Sequence, residues 1–233
     1  MNIQSAINQG VKILKDKLIN NPQLDSEILM SKVINKDRKY VLLNHNKKIE
    51  AHELMYFKKL INKRSKRIPI AHLTNKKFFW KSEFFITNKT LIPRPDTELI
   101  VEQVLKLFKY KNEFNILEIG IGSGCILLSI LKEKLNAYGT GIDISKNCLN
   151  VSKINAKRLN VETRLKLFKT NVDKFNLGKY DLIVSNPPYI KKHLVKYLEK
   201  DVAEFEPRQA LDGGIDGLSE IRKAIKKSSE LIK

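Results

Sequence analysis

The sequence predicts an α/β chain in three parts: a small helical domain over residues 1–67, a β-hairpin linker over 68–92, and a doubly wound parallel sheet over 93–233. Three observations predict it. Apolar residues recur at helical spacing through the first third. Two short aromatic runs flank a polar triplet near residue 80. Beyond residue 114, short apolar runs alternate with helical stretches, the order that builds a parallel sheet. At 233 residues and 42% hydrophobic composition, the chain is long and apolar enough to bury a sizeable core, which excludes wholesale disorder.

Each element has its own signal. Ile3, Ile7, Val11, Leu14 and Leu18 mark the first helix, which Asn21-Pro22 breaks. Leu24, Ile28, Leu29 and Val33 mark a second, and Leu54, Phe57, Leu60 and Ile61 a later one. The hairpin is read from Phe78-Phe79-Trp80 and Phe84-Phe85-Ile86 on either side of Lys81-Ser82-Glu83. Leu91-Ile92-Pro93-Arg94-Pro95 is extended, because each proline disfavours helix in the residue before it. Asp96 or Thr97 then caps a helix over 98–109, whose Leu99, Val104 and Leu105 are assigned to the core. Strands follow at 115–119, 138–142, 165–168 and 182–184, with helices over 126–131 and, capped by Ser145, through about Leu159.

Lys and Arg number 44 against 25 Asp and Glu, a formal net charge of +19. The excess is concentrated early, 18 against 6 in residues 1–82 and 26 against 19 beyond. Such a balance suits a nucleic-acid or ribosomal setting, and equally a general Lys-rich drift. Cys125 and Cys148 are too few for a disulfide framework and read as small core residues, with a reducing cytoplasm as the compartment. His45, His52, His72 and His193 share no ligand spacing with them, so no metal is expected. No apolar run reaches the length of a membrane span.

The first chemical signal is Glu118-Ile119-Gly120-Ile121-Gly122-Ser123-Gly124, a glycine turn between strand and helix. Glycines permit positive φ and close approach of a ligand, and the following helix offers free N–H groups. Asp143 ends the next strand, where an acid accepts hydrogen bonds from both hydroxyls of an adenosine ribose. A dinucleotide fingerprint would read G-x-G-x-x-G. The spacing G-x-G-x-G, with an acid two residues earlier, resembles the S-adenosylmethionine pocket of class I methyltransferases.

The second signal is Asn186-Pro187-Pro188-Tyr189 after the fourth strand. Its two prolines fix the backbone and remove two N–H donors. The carbonyls of Asn186 and Pro187, with the Asn186 side-chain oxygen, make an acceptor-only pocket for a planar NH2 group, and Tyr189 packs on that group's face. An amide nitrogen is a poor nucleophile because its lone pair is delocalised. Accepting both its N–H bonds localises that pair, and the stabilisation grows as positive charge develops.

These residues resemble the bacterial peptide chain release factor glutamine methyltransferases. The likeness runs from the N-terminal helices to about Arg222 and includes Leu91-Ile92-Pro93-Arg94-Pro95-Asp96-Thr97-Glu98, Phe205-Glu206-Pro207-Arg208 and Ala210-Leu211-Asp212-Gly213-Gly214. It implies a class I methyltransferase sheet using S-adenosylmethionine, with the Gln of the Gly-Gly-Gln motif of release factors as substrate. It implies that Gly120, Ile121, Gly122, Ser123 and Gly124 line the methionine end of the cofactor, Asp143 the ribose, and Asn171 the adenine. Asn186 would touch cofactor and substrate amide, and Pro187, Pro188 and Tyr189 would complete the substrate pocket; Asn186, Pro187 and Tyr189 are the catalytic candidates. No stable nucleic-acid complex and no membrane are expected. The family continues into three more strands where this chain stops at Lys233, so a sheet lacking its last strands, an open apolar edge at 181–185 and lowered stability are expected. Two rival readings are an adenine-N6 methyltransferase acting on DNA or RNA, which shares the tetrapeptide, and an inactive cofactor-binding remnant.

Overall fold

A computed structural model describes residues 1–111 and 113–233. They form two units, Met1–Asn75 with Lys200–Phe205, and Lys76–Glu199 with Glu206–Lys233.

The first unit is helical: α1 (Ile3–Asp16), α2 (Pro22–Val33), α3 (Arg38–Leu43), α4 (Ala51–Ser65) and α5 (Ile70–Thr74). Asn2 starts α1 by accepting a hydrogen bond from the Ser5 amide with its side chain. Pro22 opens α2, where its missing N–H costs nothing. The core gathers Ile3, Ile7 and Leu14 of α1 with Leu29 and Met30 of α2 and Phe57, Leu60 and Ile61 of α4. Gly10 lets the helices close up, because a β-carbon there would sit 2.9 Å from Ile61 and 3.1 Å from Phe57. Residues 68–75, expected to begin the linker, instead build α5 and end at Asn75 in the left-handed region (φ 58°). The segment Lys200–Phe205 joins this unit through an ion network: Arg64 donates to Asp25 at 2.7 Å and to Asp201 at 2.5 Å.

The second unit opens with the hairpin β1 (Lys76–Phe79) and β2 (Ser82–Phe85). The turn falls at Trp80-Lys81, one position earlier than expected, with Trp80 at φ 54°. Two acids hold Trp80 there, Glu98 on its amide and Glu133 on its indole N–H, each at 2.9 Å. Then follow α6 (Glu98–Leu107), β3 (Asn115–Ile119), α7 (Cys125–Glu133), β4 (Tyr138–Asp143), α8 (Lys146–Arg158), β5 (Leu165–Lys169) and β6 (Leu182–Ser185). α9 (Lys200–Ala203) belongs to the first unit, and α10 (Ser219–Leu231) returns to the second. Leu99, assigned to the core, is 57% exposed on the outer face of α6; Val101 and Val104 are the buried residues of that helix.

The four strands β3–β6 are parallel in the order β5-β4-β3-β6. From β3 the chain winds outward through β4 to β5, then crosses to β6 on the other side. The connections leaving β3 and β6 therefore diverge, and the carboxyl ends of these two strands open a crevice, the ligand site of open α/β sheets. Leu117, Ile119 and Ile142 pack with Val172, Phe175, Tyr180, Ala224 and Leu231 on one face. β6 is the end strand. Just before it, Tyr180 pairs with the chain at the end of α10, its amide donating to the Leu231 carbonyl and its carbonyl accepting from the Lys233 amide, each at 2.9 Å. Among the described residues no helix is long and apolar enough to cross a membrane.

Candidate active site

The glycine turn leaves β3 with Gly120, Gly122 and Gly124 at φ of 74°, 55° and 81°. Its amides are nearly all spent inside the protein. Gly120 and Ile121 both donate to the Ile142 carbonyl (2.9 and 3.0 Å), Gly122 to Asp143 Oδ2 (3.0 Å) and Gly124 to the Ile121 carbonyl (2.8 Å). One of the helix N–H groups expected to face a ligand is taken as well. Buried Glu118 accepts the Leu127 amide in the first turn of α7 at 3.1 Å. Burial raises the Glu118 carboxyl well above its ordinary value. A turn so satisfied cradles no pyrophosphate, but it presents a smooth backbone surface. Above Gly120 a β-carbon would meet nothing within 4 Å, so the space over that residue is open.

From α8, Ser152 Oγ donates to the Gly122 carbonyl (2.8 Å) and Asn155 Nδ2 to the Ser123 carbonyl (2.9 Å). At the end of β4, Asp143 accepts the Gly122 amide on Oδ2 and the Ser145 amide on Oδ1 (2.8 Å). Asp143 also lines the cavity, which brings its carboxylate to the ligand space. Burial raises the Asp143 carboxyl above its ordinary value, and the amides of Ser145 and Gly122 oppose the rise.

At the end of β6, Ser185 Oγ donates to the Ile119 carbonyl at 2.9 Å and ties the two strand ends together. Asn186 follows, half-buried, its Nδ2 donating to Thr97 Oγ1 at 3.3 Å. Thr97 holds the expected N-cap position of α6 but does not cap it with its side chain. Residues 95–97 form a 3-10 turn, Thr97 has helical φ and ψ, and its hydroxyl makes no cap bond to α6. With its NH2 held by Thr97, Asn186 keeps its carboxamide oxygen as an acceptor. The 91–97 segment is itself pinned by Glu206, whose buried carboxylate accepts the Ile92 amide (3.0 Å) and pairs with Arg94.

These elements enclose one cavity of about 550 Å³, within the usual range of small-molecule sites. Gly120, Gly122, Asp143, Asn171, Asn186, Pro187 and Pro188 line it. Four of the sequence-derived site residues do not. Ile121 and Ser123 are buried beneath the turn, and Gly124 turns into α7. Tyr189, expected to stack on the substrate's planar group, is 66% exposed outside the cavity. Cys148, assigned to the core, is buried as expected and also lines the wall, and burial pushes its thiol up to about 11. Sequence reasoning missed Ser185, Thr97, and the residues 207–210 and Asp212 that line the cavity. The quoted Glu206-Pro207-Arg208 and Ala210-Leu211-Asp212 were the available signal for that stretch.

Known proteins resemble this chain over its whole length. The family model "PrmC N-terminal domain" matches residues 5–74, and "Methyltransferase small domain" matches 95–204. The release factor glutamine methyltransferase of Caulobacter vibrioides is 37% identical over 210 residues, 90% of this chain and 73% of that protein. The one from Clostridium acetobutylicum is 37% identical over 236 residues, 100% of this chain and 83% of that protein. The chain belongs to the release factor glutamine methyltransferase family. The hMettl16 catalytic domain, solved with the MAT2A 3′UTR hairpin 6, shares the fold with a TM-score of 0.53, at 20% identity over 64% of this chain and 58% of that one.

For a release factor glutamine methyltransferase, the residues present fit S-adenosylmethionine. Gly120 leaves room for a chain laid against the backbone, and Asp143 brings a carboxylate acceptor to the cavity wall for a ribose. The turn's spent amides make no demand for a phosphate. Asn186, Pro187 and Pro188 add a stretch of wall in which neither proline carries an N–H.

Proposed function

We propose that this protein transfers a methyl group from S-adenosylmethionine to the side-chain amide nitrogen of the glutamine in the Gly-Gly-Gln motif of peptide chain release factors. One observation carries the reading: a single cavity is lined both by Gly120 and Asp143 and by Asn186, Pro187 and Pro188. Relatives of that name at 37% identity support the choice of substrate class.

When bound, S-adenosylmethionine supplies a methyl group on a positively charged sulfur, and the reaction exchanges that sulfur–carbon bond for a nitrogen–carbon bond with loss of one proton from nitrogen. Gly120, Gly122, Asp143 and Asn171 would hold the cofactor. Asn186 Oδ1 and the backbone carbonyls of Asn186 and Pro187 would accept the two N–H bonds of the glutamine amide. That contact pulls the nitrogen away from planarity and fixes its lone pair on one side. The same oxygens meet a growing positive charge as the bond forms, so they favour the transition state over the ground state. No strong base is required beforehand, because the proton becomes acidic only after the nitrogen has reacted. Thr97 anchors the Asn186 carboxamide through its hydroxyl.

The test is incubation of the protein with isotope-labelled S-adenosylmethionine and, in separate reactions, a release factor or nucleic acid. Label in the release factor supports the reading. Label in nucleic acid alone, or in neither, overturns it.

A further inference from the structure

Ala210-Leu211-Asp212-Gly213-Gly214-Ile215-Asp216-Gly217 is a glycine-rich stretch for which the proposed chemistry gives no role beyond a cavity wall. It runs beside the residues that leave the tetrapeptide. Ile190 donates to the Leu211 carbonyl (3.2 Å), Gly213 to the Ile190 carbonyl (2.8 Å) and Lys192 to the Gly214 carbonyl (2.8 Å), a short parallel pairing. A β-carbon at Gly213 would lie 2.8 Å from the Pro188 carbonyl oxygen, 2.8 Å from Tyr189 Cα and 2.7 Å from the Gly217 carbonyl oxygen. A β-carbon at Gly217 would lie 2.5 Å from the Tyr189 carbonyl oxygen. All these obstacles are backbone atoms, which cannot rotate aside.

Gly213 has no positive φ, so it is not a left-handed backbone that calls for glycine. Proximity alone demands glycine there. The loop is itself anchored. Asp212 Oδ1 accepts the Gly214 amide (3.0 Å), the Ser219 amide donates to the Gly213 carbonyl (3.0 Å), and Asp216 accepts the Leu218 amide (2.9 Å) and pairs with Arg222 of α10 (2.6 Å).

We infer that residues 212–217 are a positioning brace for the acceptor pocket: a backbone wall, fastened to α10, against which Pro188 and Tyr189 are set. The prolines stiffen the tetrapeptide internally, and the brace fixes where that stiff unit stands. This rests on the proposed methyl transfer, because only there does the placement of the Asn186 and Pro187 oxygens become a rate.

The experiment compares wild type, Gly213→Ala and Gly178→Ala. Gly178 lies in an exposed loop at φ 81°, where a β-carbon meets only the ring end of Tyr180, so its variant controls for a perturbed glycine elsewhere. Expected for Gly213→Ala is a fall in kcat of about a hundredfold, the scale of an ångström-sized misplacement of reacting groups. The S-adenosylmethionine dissociation constant stays at the wild-type value, and amide exchange at Ile190 and Lys192 quickens. Gly178→Ala keeps the wild-type kcat. Wild-type kcat and wild-type exchange in Gly213→Ala overturn the inference, as does an equal loss of cofactor binding and turnover. Should Gly213→Ala not fold, Gly217→Ala is read in the same way, and exchange in the wild-type protein decides independently. Amides of Ile190, Lys192 and Gly213 protected like those of β3 support the brace, and free exchange overturns it. A wild type that labels no release factor defeats the proposed function, and exchange then still decides whether the brace exists.

Discussion

The two parts of the cavity lining are built in different ways. The glycine turn draws mostly on its near neighbours in sequence: Glu118 holds Leu127, Ile142 and Asp143 of β4 take the amides of Gly120, Ile121 and Gly122, and α8 props two carbonyls through Ser152 and Asn155. The acceptor part is assembled from afar. Asn186 depends on Thr97, 89 residues away, and the segment carrying Thr97 is held by Glu206, more than 110 residues from Ile92 and Arg94. A cofactor site can be a strand, a turn and one acid. An acceptor pocket that must aim oxygens at a single nitrogen needs several segments to agree.

Substitutions sharpen this contrast, because they separate holding the cofactor from turning it over. The largest effect belongs to Asn186→Ala, for which kcat should drop about a thousandfold, the loss of a polar group aimed at developing charge. Its cofactor affinity should weaken only modestly, and full activity would break the account. Asp143→Ala should do the reverse. Calorimetry should show the S-adenosylmethionine dissociation constant rising about a hundredfold, as two charge-assisted hydrogen bonds are lost, while kcat at saturation survives. Thr97→Val should lower kcat about fivefold by freeing the Asn186 carboxamide, with Thr97→Ser restoring the rate. If valine costs nothing, Thr97 is mere packing. The mildest effect is on pH. The Asp143 carboxyl titrates above its ordinary value because it is buried. A carboxylate accepts the ribose hydroxyls better than its protonated form does. Affinity should therefore fall as pH drops, reaching about half at the raised pKa of the free protein. Asp143→Asn should flatten that dependence, and an unchanged profile in this variant would assign the titration to another group.

Much of this was legible in the residues, for reasons that track sequence distance. Asn115-Ile116-Leu117-Glu118-Ile119 reads as a strand because buried parallel strands are near-continuously apolar. Gly120 and Asp143 are legible because a turn and a strand end are local events. The hairpin was legible but its turn was displaced, since Glu98 and Glu133 hold Trp80 at positive φ and neither acid is near it in sequence. Thr97 precedes a helix and looks like a cap; only the fold brings Asn186 to its hydroxyl. Residues 200–205 gave no sign of joining the helical unit, because the Arg64 that takes Asp201 lies 137 positions earlier. Exposure of Leu99 and Tyr189 was likewise invisible, as residue type alone does not say which face meets solvent.

The central claim is that oxygens of residues 186 and 187 activate a glutamine amide nitrogen. Tandem mass spectrometry of a release factor treated with the protein and S-adenosylmethionine tests it most directly. The account predicts one added methyl on the side-chain nitrogen of the Gly-Gly-Gln glutamine, absent when Asn186→Ala replaces the wild type. A methyl on any other residue, or an undiminished yield from that variant, contradicts it.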